Sequence, residues 1–163
     1  MISFLHRYLP FITLFLVTIV STSDYSIYGK SLGELITLQF IIIFAFRLAN
    51  ADANFGKGSL LFFVSIINDA LQGLQFGTSA LLYFTIFSVA TYQAGIKLRS
   101  LFLAEWVSFI FAVTCCYIIL FFIETLFYDN PFPFTLYGIN FACTVVAYPI
   151  FWLIIQKIIY RNA

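Results

Sequence analysis

Long hydrophobic segments and short polar stretches alternate along the whole chain. The hydrophobic segments approach the roughly 20 residues that a helix needs to cross a bilayer core. We predict six membrane-spanning helices, at about residues 8–22, 35–49, 59–72, 77–93, 101–127 and 134–159. The shorter second and third helices are expected to extend into the linker between them or to cross a thinned membrane. The predicted fold class is an all-α polytopic membrane bundle, with residues 1–163 as a single integral-membrane domain.

The composition argues against a soluble globular protein. Hydrophobic residues make up 63% of the chain and charged residues only 9%. So little charge cannot cover the surface of a soluble globule, and the expected surroundings are a lipid bilayer. The formal net charge of +1 gives no indication of a nucleic-acid partner, and we expect none.

The basic residues predict the orientation of the chain in the membrane. If the amino terminus lies inside, Lys30 is the one basic residue in an external loop. The cytoplasmic segments then hold the other seven, which are Arg7, Arg47, Lys57, Lys97, Arg99, Lys157 and Arg161. This positive-inside bias, with an even number of spans, predicts that both termini are cytoplasmic.

The first segment has a second interpretation. His6 and Arg7, the apolar run of residues 9–20 and the following Ser21-Thr22-Ser23 resemble a signal peptide with its cleavage site. Cleavage would leave five spans in the same orientation, so the distribution of charge does not separate the two interpretations. We favour a retained first span, because multi-pass chains usually keep it.

Four polar residues form a stripe within the hydrophobic third segment. They lie at i, i+3, i+4 and i+7, which is one face of a helix, and are Ser65, Asn68, Asp69 and Gln72. Asp69 follows Lys57 by 12 residues, which places it roughly 18 Å along a core about 30 Å thick. Because a carboxylate in lipid is costly, we expect the stripe to face the bundle interior or a water-filled cavity.

Two glycines follow the stripe and predict a tight turn. Gly73 suits a helix end in the left-handed conformation, and Gly77 suits the start of the next helix with a close backbone approach. The functional interpretation makes Asp69 part of a binding or assembly site. The structural interpretation, which we slightly favour, has Asp69 capping backbone amides at the turn or bonding Tyr83 or Lys30.

The fifth and sixth segments contain further features to test. Glu105 is expected to form an ion pair near the inner surface with one of two basic residues, Lys97 or Arg99. Pro149 is expected to kink the sixth helix. Trp106 and Trp152 lie near a predicted membrane interface and indicate an anchoring belt of aromatic residues.

The sequence gives no support for catalysis or for a cofactor. His6 is the single histidine and precedes the bundle, which argues against a Ser-His-Asp or Cys-His arrangement inside it. The three cysteines, Cys115, Cys116 and Cys143, lie in apolar runs without metal-ligand spacing, and we interpret them as packing residues. We expect no enzyme activity, no cofactor and no metal site.

The segment around Asp69 resembles a known family. The stretch FFVSIINDALQGLQFGTSALLYFTIFSVATY, residues 62–92, is similar to MreD, the small integral-membrane protein of the bacterial rod-shape system. Members typically carry an acid, a glycine about four residues later, a second glycine and an Ala-Leu-aromatic helix. The matching positions here are Asp69, Gly73, Gly77, Ala80, Leu81 and Tyr83. This specific resemblance covers about a quarter of the chain, and the remainder matches in layout.

The chain also departs from the family pattern. Ser65 stands where members often have a glycine four residues before the acid, and it is a conservative replacement for close packing. Ala51 and Ala53 lie in the linker before the third segment, where members often carry proline. The missing proline weakens the alignment of that linker.

The resemblance implies a scaffold function in the bacterial inner membrane. A member of this family would be non-catalytic and would bind the single-span protein MreC. Through MreC it would join the elongation complex with MreB filaments, RodA and a class B penicillin-binding protein, which supports lateral-wall peptidoglycan synthesis and rod shape. The resemblance also implies a fold similar to the six-helix substrate-binding subunits of energy-coupling-factor transporters. Pairing with a second copy of the chain is left open.

Two alternatives remain at the level of sequence. The first is such a transporter subunit itself, which would bind a vitamin or another small molecule. Against it, the first segment lacks the AxxxA docking pattern, although the short external loops carry polar residues such as Tyr25, Tyr28, Lys30 and Asn130. The second alternative is a general membrane assembly factor, which the sequence does not distinguish from an MreD-like scaffold.

Overall fold

Six helices account for nearly all of the chain that the structure describes. The structure, a computed structural model, describes residues 2–22, 26–27, 30–31, 36–49, 55–95, 102–127 and 133–160, with side chains at 11–21, 36–45, 57–94, 102–126 and 133–154. The helices are α1 (Ile2–Thr22), α2 (Leu38–Ala49), α3 (Phe55–Gln72), α4 (Thr78–Gly95), α5 (Phe102–Phe127) and α6 (Phe134–Tyr160). The all-helical prediction with six helices is confirmed.

One small sheet lies between α1 and α2. Its two strands, β1 (Ser26–Ile27) and β2 (Lys30–Ser31), pair in antiparallel fashion, with Ser26 opposite Ser31 and Ile27 opposite Lys30. The sequence did not predict this hairpin. Strands of two residues contribute little stability by themselves, so the hairpin mainly shapes the connection between the two helices.

The shortest helix, α2, lies at the centre of the bundle. It packs against α1, α4 and α6, and the other five helices follow one another around it in the order α1, α3, α4, α5, α6. Seven consecutive residues of α2, from Gln39 to Ala45, are buried. Apart from Gln39 this stretch is apolar on all sides, as suits a helix whose faces meet other helices.

An aromatic cluster forms the middle of the core. The rings of Phe44, Phe109 and Tyr148 join α2, α5 and α6, with centroids 4.2–5.8 Å apart. Nearer the start of α2, the ring of Phe40 meets Tyr83 of α4 edge-to-face at 6.4 Å. Such contacts between large rings are a main source of packing energy in a bundle rich in phenylalanine.

Two helices have the length and apolar composition to cross a membrane. Within the described residues these spans are Phe102–Leu126 of α5 and Phe134–Ile154 of α6. The first helix contains a shorter apolar segment, Phe11–Ser21. Large apolar side chains also project from the outer faces of α1, α3, α4, α5 and α6. Such a surface is unfavourable in water and suits a lipid environment.

Candidate functional site: the α3–α4 turn

Helix α3 ends at the first of the two glycines. Gly73 has φ +66°, in the left-handed region, and the N–H of the next residue, Leu74, donates to the carbonyl of Asp69 at 3.0 Å. This six-to-one hydrogen bond with a left-handed glycine is the Schellman motif that closes many helices. The predicted left-handed helix end at Gly73 is confirmed.

The carboxylate of Asp69 reaches across the turn and caps helix α4. Its Oδ2 accepts the N–H of Gly77 at 2.7 Å, and its Oδ1 accepts the N–H of Ser79 at 2.9 Å. The first amides of a helix have no partner within that helix, and a negative charge beside them interacts favourably with the helix dipole. Asp69 therefore acts as the N-terminal cap of α4, although it belongs to α3.

Both oxygens of Asp69 are thus bonded to backbone amides. The side chain is 0% exposed, so its desolvation is offset by two charge-assisted hydrogen bonds. These contacts correspond to the structural interpretation of the acid. The hydroxyl of Tyr83 makes no hydrogen bond with it, and the side chain of Lys30 lies outside the described residues.

A second pair of side chains reinforces the same corner. The amide of Asn68 donates to the hydroxyl oxygen of Ser79 at 2.7 Å, and Gln72 donates to Asn68 Oδ1 at 3.1 Å. Ser79 thus meets α3 twice, once through its backbone and once through its side chain. The sequence analysis missed Ser79, although Thr78 and Ser79 directly after a glycine are a typical signal for the start of a helix.

The structure brings only part of the polar stripe together. Asn68 and Asp69 are buried and face α4, whereas Gln72 is exposed because α3 ends there. Gln72 lies on the same face as Asn68, to which it donates, but it is not buried as predicted. Ser65 is buried, but its hydroxyl donates to the carbonyl of Phe62 on its own helix at 2.7 Å. Ser65 is thus not part of the hydrogen-bonded corner.

The second glycine has a different role from the predicted one. Gly77 has φ +101°, a conformation that residues with a side chain rarely adopt. A Cβ built at this position would meet no atom within 4 Å. The expectation of a close backbone approach is therefore wrong. Glycine is required here for its backbone angle, with which the chain turns into α4 while the Gly77 N–H bonds Asp69.

A second polar cluster joins α6 to α2 and α5. Oδ1 of Asn140 accepts hydrogen bonds from the hydroxyls of Tyr117, Thr37 and Thr144 at 2.6, 2.9 and 3.1 Å. The hydroxyl oxygen of Thr144 also accepts the backbone N–H of Thr37 at 3.1 Å, just before α2 begins. The sequence analysis did not single out Asn140, because one asparagine in an apolar helix carries no local pattern.

The buried polar side chains share one end of the bundle. Those of the described residues are Thr18, Ser21, Gln39, Ser65, Asn68, Asp69, Thr78, Ser79, Asn140 and Thr144. Each lies in the half of its helix nearer the α3–α4 turn. At this end Gln39 of α2 donates to the hydroxyl of Ser21 in α1 at 2.8 Å. In the orientation predicted from the basic residues, this is the external end.

At the opposite end, two tryptophans tie α5 to α6. The indole of Trp106 donates to the carbonyl of Val145 at 3.2 Å, and that of Trp152 donates to Glu105 at 2.6 Å. Phe102 packs against both rings. These tryptophans connect the two helices, and their place in an anchoring belt at the membrane interface stays a prediction. The predicted basic partners of Glu105, Lys97 and Arg99, lie outside the described residues.

The chemistry of the turn is that of a rigid corner. Each oxygen of the buried Asp69 carboxylate accepts a backbone amide, an arrangement that favours a structural task over proton transfer or ligand binding. In the part of the chain that the structure describes, no group of three His, Cys, Asp or Glu side chains is placed to hold a metal ion. Comparisons with protein-family models, with curated proteins and with solved structures find no match to the chain.

Proposed function

We propose that this chain is a non-catalytic, multi-pass component of the bacterial inner membrane that binds MreC within the cell-elongation complex. Through MreC it would associate with MreB, RodA and a class B penicillin-binding protein. In that role it would support lateral-wall peptidoglycan synthesis and rod shape. Both termini would be cytoplasmic, as the basic residues predict.

The observation that best supports the proposal is the cap that Asp69 forms on α4. The acid and the two glycines are the positions by which residues 62–92 resemble MreD. In the structure these three residues form one unit, in which Gly73 closes α3, Gly77 turns the chain and Asp69 binds the new helix. A common structural task gives a physical reason for this residue pattern.

Two further features are compatible with a scaffold. Each oxygen of the buried acid accepts a backbone amide, which suits a structural task better than general acid–base chemistry. The outer faces of the helices present apolar side chains, and α5 and α6 are long enough to span a membrane. A partner with a single membrane span could pack against such a face.

A transporter subunit is the second candidate, and one observation favours it. The hydroxyl of Tyr83 is buried in the same half of the bundle as Asp69, beside the Thr18 side chain and without a hydrogen bond of good geometry. A small polar ligand could satisfy this hydroxyl. Around it, however, Asn68, Asp69 and Ser79 bond one another, so a ligand site would need these helices to separate.

The test is a pull-down of the tagged full-length chain from its native membrane in mild detergent, followed by mass spectrometry. Recovery of MreC with elongation-complex members is the expected result. Recovery of a transporter ATPase pair with its membrane coupling subunit would overturn the proposal and support the second candidate.

The same assay can test whether the turn contributes to partner binding. Asp69→Ala removes the cap on α4, whereas Gln72→Ala removes an exposed amide that bonds Asn68 within α3 and makes no contact with the amides of α4 that Asp69 holds, so it serves as the control. Reduced capture of MreC and rounded cells with Asp69→Ala alone would support a role for the turn. A well-folded Asp69→Ala protein with full capture and normal rods would leave Asp69 a purely structural residue.

A further inference from the structure

The α3–α4 turn displays one of the two most exposed aromatic residues in the described part of the chain, the other being Tyr92. Phe76 is 76% exposed, at the tip of the connection between the helices. The hydrogen bonds of Asp69 and the left-handed angles of Gly73 and Gly77 fix the backbone of the turn on both sides of it. The backbone thus holds a large apolar ring outward.

The composition of the turn is unusual for a loop that projects into water. The sequence from Ala70 to Ile96 contains no charged residue. The one nearby charge, on Asp69, is buried and bonded to backbone amides. The polar side chains beside Phe76 are the exposed amides Gln72 and Gln75. Segments that lie in the interface bury Phe, Trp and Leu side chains at the boundary between lipid headgroups and acyl chains.

The apolar surface continues from Phe76 onto both helices. Leu71 lies in the last turn of α3 and Leu81 in the first turn of α4, and both are exposed. Helix α3 has 18 residues, which span about 27 Å at about 1.5 Å each. That length falls short of a core about 30 Å thick, so the end of the hairpin would not project far beyond it.

We propose that the α3–α4 turn lies within the interfacial layer of the membrane and that Phe76 inserts among the lipids as an anchor. The proposed partner is the lipid surface. The inference rests on the membrane location in the proposed function, and it adds that this corner is embedded. A protein partner of the turn would then have to approach it from within the membrane.

The test uses the full-length chain reconstituted into phosphatidylcholine vesicles whose acyl chains carry bromine near the headgroup, at mid-chain or near the methyl end. Phe76→Trp adds a fluorophore at the turn, and the wild-type signal from Trp106 and Trp152 is subtracted. Bromine near the headgroup should quench the added fluorescence most strongly, and aqueous acrylamide should quench it little.

A second variant separates this inference from the proposed function. Ile118 is exposed near the middle of α5, so Ile118→Trp should be quenched most by deep bromines. If deep bromines quench Ile118→Trp but only acrylamide quenches Phe76→Trp, the protein is in the membrane and the turn projects into water. In that case only the inference about the turn fails. If neither bromolipid nor acrylamide quenches Phe76→Trp, protein covers the ring, and this result would also overturn the inference. If no bromolipid quenches Ile118→Trp, the membrane location itself fails.

Discussion

Trp106 supplies the hydrogen-bond donor that Pro149 lacks. In a regular helix the N–H of residue 149 would bond the carbonyl of Val145, but proline has no N–H. The indole of Trp106, on the neighbouring helix α5, donates to that carbonyl at 3.2 Å. A defect within α6 is therefore repaired by a side chain that also joins the two helices.

This relationship predicts coupling between the two residues. Trp106→Phe should lower the free energy of unfolding by about 1 kcal/mol beyond the loss of packing, because the carbonyl of Val145 loses its donor. In the Pro149→Ala background that extra loss should vanish, since alanine restores the helical N–H at this position. Thermal unfolding in mild detergent, followed by circular dichroism for the two single variants and the double variant, measures the coupling. If the losses of the two single variants simply add in the double variant, Trp106 does not compensate for the missing N–H of Pro149.

Removal of the cap on α4 should destabilise the hairpin. Asp69→Ala leaves the amides of Gly77 and Ser79 without their acceptor, and we expect a loss of about 2 kcal/mol. Asp69→Asn should lose about half as much, because its amide can offer only one good acceptor oxygen. Gln72→Ala, as the control, should change stability by under about 0.5 kcal/mol. Equal losses for Asp69→Asn and Asp69→Ala would argue that the Asp69 carboxylate does not accept hydrogen bonds from both backbone amides.

The two turn glycines should respond differently to asparagine. Gly73→Ala and Gly77→Ala should each lower the free energy of unfolding by about 1–2 kcal/mol through backbone strain. A steric clash would not contribute, because a Cβ meets no neighbour at either position. Asparagine tolerates the left-handed region near φ +66°, so Gly73→Asn should recover part of that loss. Gly77→Asn should recover less, since φ +101° lies outside that region. The same unfolding assay ranks the four variants.

A helical glycine provides the control for these substitutions. Gly138 lies in α6, and a Cβ there would also meet no atom within 4 Å. Alanine should be neutral at this position or stabilise the helix by up to about 1 kcal/mol, since its conformation is helical. A loss at Gly138 as large as that at Gly77 would show that backbone angle is not the cause.

The Asn140 cluster should be more sensitive at its centre than at its edge. Asn140→Ala removes the acceptor of three hydroxyls and should cost about 2 kcal/mol. Tyr117→Phe removes one donor and should cost about 0.6 kcal/mol, the typical value for such a bond between membrane helices. Comparison of their unfolding midpoints tests this order. A larger effect of Tyr117→Phe would mean that Asn140 is not the centre of the cluster.

The sequence by itself determined the elements of this protein. Hydrophobic segment length predicted six helices, because apolar side chains and turn residues act locally along the chain. Five helices lie within four residues of the predicted bounds, whereas α1 begins at Ile2, six residues before the predicted start. The glycine at the end of α3 was predictable for the same reason. The stripe at Asp69 was also visible, although Gln72 proved exposed where the helix ends.

The tertiary structure alone decided which polar groups meet. Thr37 and Asn140 are 103 residues apart, and Trp106 and Val145 are 39 apart, so no local spacing relates them. Their contacts depend on how α2, α5 and α6 pack, and the central place of α2 follows from that packing. The turn at Asp69 lies between these cases. Its residues are close in sequence, so the turn itself was predictable. Which amide each carboxylate oxygen accepts was not, because a hydrogen bond depends on the distance and angle that the packed helices set.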